Sequence, residues 1–159
     1  MNQFPNLLRS AAVVAAVLIV AQLASPSARS ASSPLGIWLD HTGRGGVEIS
    51  SCGKKLCGRI VWLADPNGSD GRPLTDGNNP RASNRKRTIC GLPIIGGLKN
   101  SGTRFWSGGW IYDPETGDTY DVEITLLNER RLEVFGYAGI KFFGETLLWK
   151  RAPKSLGSC

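Results

Sequence analysis

Thr119-Tyr120-Asp121-Val122-Glu123-Ile124-Thr125-Leu126 alternates without a break. Tyr120, Val122, Ile124 and Leu126 fall on one side of an extended chain, with Thr119, Asp121, Glu123 and Thr125 on the other. Successive side chains of a strand point to opposite faces, so this stretch reads as a strand with one buried and one wet face. Downstream, Asn128-Glu129 turns the chain into a second alternating run, Arg131-Leu132-Glu133-Val134-Phe135-Gly136-Tyr137. Upstream, Asp113-Pro114-Glu115-Thr116-Gly117 has the composition of a hairpin loop. Proline presets the first turn residue, and Gly117 accepts the left-handed conformation. The strand entering that loop places Trp106, Trp110 and Tyr112 on one face, with Gly108 between the two tryptophans.

Carried over the rest of the chain, the same reading predicts strands near 35–40, 46–51, 57–64, 88–96, 104–113, 118–127, 130–138 and 144–151. Short turns join most of them, and 20 glycines suit a fold built from tight turns and bulges. Consecutive strands must hide their edges, and closing into a barrel does so best. The expected fold is all-β: a small antiparallel up-and-down β-barrel of about eight strands, with a sandwich as the alternative. One segment breaks the rhythm. Asp65 to Lys86 is a long loop rich in Asp, Asn, Gly, Pro and Arg, and loops of this length are commonly functional or disordered.

The N-terminal stretch has the three parts of an export signal: Arg9, the uncharged apolar run Ala11 to Ala24, and the small-residue stretch Ser25 to Ser32. That run is shorter than the roughly 20 residues that span hydrocarbon. A cleavable signal and linker at 1–31 and a single domain at 32–159 are therefore expected, with a periplasmic or secreted product and no membrane span after cleavage. Cleavage removes Arg9 and Arg29 and lowers the formal charge of +6 to +4. A surplus that small gives no call for a nucleic-acid partner.

Four cysteines suit an oxidising compartment. Cys52 and Cys57 flank an apparent hairpin turn and can bridge across it. The preferred pairing is Cys52–Cys57 with Cys90–Cys159; the alternative leaves Cys90 and Cys159 as free thiols. C-x4-C is not a zinc-knuckle spacing, and His41 is the single histidine, so no metal site or cofactor is indicated.

Several phrases resemble those of a family of bacterial secreted proteins known by the label DUF2147. They include Gly36-Ile37-Trp38, Cys57-Gly58-Arg59-Ile60-Val61-Trp62-Leu63, Asp76-Gly77-Asn78-Asn79-Pro80, Trp106-Ser107-Gly108-Gly109, Gly136-Tyr137-Ala138-Gly139 and Trp149-Lys150-Arg151. The resemblance spans 35–151 and implies a lipocalin-like (calycin-like) barrel without a shared enzymatic activity. Gly-x-Trp early in the domain, with a basic residue late in its last strand, is similar to the calycin barrel closure. By that resemblance, Arg151 would lie over Trp38 at the barrel base, a contact worth about 0.5–2 kcal/mol.

For function, the aromatic set is the most suggestive. Trp62, Trp106, Trp110, Tyr112, Tyr120, Tyr137 and Trp149 lie in expected strands, and a barrel of this size either fills its interior or holds one small ligand. The leading expectation is a non-enzymatic barrel binding a small, partly apolar or amphipathic ligand, with the 65–86 loop as its lid. A second is an envelope-interaction module docking anionic polymer or a protein through Arg81, Arg85, Lys86 and Arg87. A third is a hydrolase using Asp65, Asp70 and Asp76 as convergent acids. No catalytic residue is assigned, since His41 sits in an expected turn and no oriented base accompanies it.

Overall fold

Side chains that alternate between apolar and polar demand a surface with one dry and one wet side, and a closed cylinder of strands supplies it. The structure, a computed structural model, describes residues 33–159. The expected export signal and linker at 1–31 lie outside the described residues. The strands are β1 (Gly36–Leu39), β2 (Gly45–Cys52), β3 (Lys55–Leu63), β4 (Pro93–Gly102), β5 (Phe105–Asp113), β6 (Asp118–Asn128), β7 (Arg131–Tyr137) and β8 (Glu145–Arg151). Each pairs with the next along the chain, and β8 returns to β1 through Trp38↔Arg151 and Leu39↔Lys150. The result is the expected closed, up-and-down, antiparallel barrel.

The alternating stretch on β6 works as its pattern requires. Val122, Ile124 and Leu126 are at most 1 % exposed, and their β7 neighbours Val134 and Leu132 are equally buried. Asp121 and Glu123 face outward beside Tyr137 and Phe135. Apolar side chains thus fill the inside while charges face out, the reverse of a membrane-spanning barrel. Among the described residues, no helix is long and apolar enough to cross a membrane.

The two barrel ends differ. At one, tight turns join β2 to β3, β4 to β5 and β6 to β7; at the other lie the longer connections 40–44, 64–92, 114–117 and 138–144. The tight end is plugged. Trp38 is fully buried, its Nε1–H donates to the Pro34 carbonyl at 2.7 Å, and the Arg151 guanidinium lies 3.8 Å above its ring. Arg151 also donates to the carbonyls of Glu129, Leu35 and Ser33. Gly36, at φ +110°, passes so close that a Cβ there would lie 3.0 Å from Arg151 Nη1. Trp38 and Arg151 thus fill the base of the barrel together.

Both expected disulfides form, Cys52–Cys57 and Cys90–Cys159. The second ties the C-terminal tail to the barrel wall, where the Cys159 amide donates to Val61 O at 2.9 Å. Two strand-level expectations need correction. The fourth strand runs 93–102 rather than 88–96, because Thr88–Leu92 is spent on a turn with Gly91 in the left-handed region at φ +83°. On β5, Trp106, Trp110 and Tyr112 do not share a face. Gly108, at φ +69°, sits in a bulge that shifts the register between Trp106 and Gly109. A bulge adds one residue to one strand and so reverses every later side chain.

Candidate functional site

The inner face of the barrel is graded in size. Toward the plugged end its positions carry Trp38, Ile49, Leu98, Leu126 and Leu132, all buried. Toward the open end they include Gly45 and Gly136, and Gly136 stands across from Val122 on one side and Glu145 on the other. A Cβ at Gly136 would meet nothing within 4 Å. Bulk below and glycine above leave a cavity of about 690 Å³ at the open end.

Its walls are apolar, built from Val47, Ile60, Ile94, Ile111, Val134 and Leu147, with Trp149 as a buried aromatic surface. Its rim is polar. Asp40, His41 and Arg44 come from the β1–β2 connection, Asp65 and Thr75 from the long loop, and Asp113 and Glu115 from the β5–β6 turn. Glu145 completes the rim from the start of β8. Arg44 pairs with Asp65 at 2.7 Å, and Asp40 Oδ1 accepts from Thr42 Oγ1 at 2.6 Å.

The aromatic residues singled out from sequence divide. Tyr112, Tyr120, Tyr137 and Trp149 line the cavity; Trp62, Trp106 and Trp110 do not. Tyr120 belongs to the inward row of β6 and is the cross-strand partner of Ile111. Tyr137 reaches the rim from the outer face, where its ring stacks on Phe135 at 5.5 Å. Trp62 flanks Gly46 together with Leu156 of the C-terminal tail. Trp106 packs against the core, and Trp110 is 42 % exposed, lying across Gly96 on the outside. Leu147 and Glu145 were not singled out. The signal was available: once Arg151 is placed over Trp38 inside the barrel, a period of two puts 149, 147 and 145 inside as well.

The long loop is tied to the barrel at its centre. Asp76 is fully buried and accepts three hydrogen bonds: from the Tyr112 hydroxyl at 2.5 Å, Asn79 Nδ2 at 2.8 Å and Arg87 Nη2 at 2.9 Å. Burial alone would raise the Asp76 carboxyl; the donors of Tyr112, Arg87 and Asn79 outweigh it and hold the group below its ordinary value. Burial and the bond to Asp76 push the Tyr112 phenol up in turn. Leu74, Thr75 and Ile89 of this loop contribute to the cavity wall.

The basic run does not reach the cavity. Arg87 holds Asp76, Arg85 Nε donates to Asn79 O at 2.8 Å, and Arg81 and Lys86 are exposed. The three loop acids are held apart in separate arrangements: Asp65 with Arg44 at the rim, Asp70 Oδ1 accepting from the Arg72 amide, and Asp76 beneath the loop. They do not form the shared acidic cleft that hydrolysis would need. Among the described residues no group of three or more His, Cys, Asp or Glu could hold a metal ion.

The family described as "Uncharacterized protein conserved in bacteria (DUF2147)" matches residues 36–151. Among curated proteins, none matches this sequence. A solved Helicobacter pylori protein, described as belonging to the lipocalin family, is similar with a TM-score of 0.67 and 23 % identity over 77 % of this chain and 84 % of that one. At that identity the likeness is one of fold.

Proposed function

From a chain that belongs to the DUF2147 family, we propose an exported, non-enzymatic protein that holds one small, partly apolar ligand inside its lipocalin-like barrel. The observation that carries this reading is the open cavity of about 690 Å³, walled by apolar side chains and rimmed by polar ones. Small-molecule sites occupy roughly 300–1,000 Å³ and have this division between greasy wall and sparse polar groups. A barrel that merely needed a core would close the space with side chains, as the plugged end does around Trp38. Export is supported by the signal-like N-terminus and by two disulfides, which persist in oxidising compartments.

The test uses the empty position at Gly136. Its backbone is not in the left-handed region, and its Cβ direction is open, so Gly136→Phe should fold and fill the cavity. Wild-type protein should bind a neutral apolar dye such as Nile red at one saturable site. The Phe variant should lose at least roughly tenfold in affinity with no loss of thermal stability. Dye binding that survives the filling would place the ligand elsewhere and end the barrel reading.

A further inference from the structure

Charge is unevenly distributed over this protein. The chain is basic as a whole, with 19 Lys and Arg against 13 Asp and Glu, yet the cavity rim is acidic. Asp40, Asp65, Asp113, Glu115 and Glu145 line it, with Arg44 the one Lys or Arg among the lining residues. Arg44 is engaged by Asp65, and among the described residues the other four acids are in no ion pair. Clefts with low-dielectric walls and one sign of charge focus the field, so this mouth attracts cations that the rest of the surface repels.

Glu145 heads an inward row on β8 that continues with Leu147 and Trp149. It stands opposite Gly136, which has no side chain, and is one of the residues that line the lumen. At the other end of the row, Trp149 is 3 % exposed, and its indole Nε1–H is buried with no acceptor on the protein. That nitrogen has essentially no surface of its own on the lumen, so the inner end of the row offers a bound molecule apolar contact. Four residues of strand separate the two features by roughly 13 Å. The rim acids are not gathered into a group that could hold a metal ion, which directs the inference to an organic cation.

We propose that the barrel takes an amphiphilic organic amine. Its ammonium group sits among the rim carboxylates beside Glu145, and its apolar body fills the lumen down to Trp149. The proposal rests on the ligand-binding reading above and names the class of ligand for that same site.

Calorimetric titration with matched probes at monomeric concentrations tests it. Decylamine should bind about tenfold or more tightly than decanoate, and the difference should shrink in high salt and in Glu145→Gln. That substitution is at an exposed position, so folding should be unaffected. Decanoate binding as well as the amine overturns the proposal and leaves the barrel reading standing. So does an amine preference that neither salt nor Glu145→Gln changes. Failure of every chain to bind overturns both.

Discussion

Asp76 has no exposed surface, and it stays ionised because three donors surround it. Its native pKa lies below the unfolded value near 3.8, so its contribution is present in full above that value and is lost as pH falls through the lower native one. In Asp76→Asn the carboxamide cannot accept from all three donors. The variant should be less stable than the wild type at pH 7 by about 1–3 kcal/mol, the cost of stranding a buried donor. Denaturant melts repeated down to acid pH should show the gap closing below about pH 4, as the wild-type carboxyl protonates. A gap independent of pH would mean that Asp76 acts by shape alone. Arg151 is the second decisive residue, since it combines the stack on Trp38 with three carbonyl contacts. Arg151→Ala should cost about 2 kcal/mol or more, from the stack and the stranded carbonyls together. Unchanged stability would show that Trp38 plugs the base unaided.

Among the elements, the β2–β3 hairpin and the C-terminal tail are both closed covalently, but over very different lengths of chain. Cys52–Cys57 closes a sequence separation of 5 and Cys90–Cys159 one of 69. On a chain-entropy basis the short loop contributes about 2 kcal/mol and the long one about 4 kcal/mol. Opening the second by paired serine substitution should therefore lower Tm more than opening the first. It should also free Trp62, since Leu156 of the tail lies beside the same glycine; a red shift in tryptophan emission would report this. An equal Tm loss from both pairs would contradict the loop-length account. The strands themselves follow from local pattern, with β5 as the instructive exception. Its alternation is regular in sequence, but Gly108 admits a bulge that sends Trp110 outward and Ile111 inward. Nothing in the spacing of Trp106, Trp110 and Tyr112 marks that reversal, because a bulge is decided by the strand's partners.

For the whole molecule, the gradation from large side chains at the plugged end to glycine at the open one decides that a lumen exists. The Gly136→Phe and amine-selectivity experiments test that lumen and its acidic mouth. What the sequence determined by itself was everything with a short period or a short reach. Alternation specified an all-β chain of about eight strands, turn chemistry placed most hairpins, and the cysteine at each mouth of a hairpin indicated the first disulfide. The inward row through Val122, Ile124 and Leu126 was equally legible, because strand faces alternate whatever the surroundings. Tertiary structure alone decided which aromatic side chains meet the lumen, since one bulge reverses a face and the outer wall can hide as many rings as the inner one. It also decided the character of the rim. Asp40, Asp65, Asp113, Glu115 and Glu145 are scattered over more than a hundred residues and share no local signal. They become one acidic ring only when the barrel closes and brings its long connections to the same end.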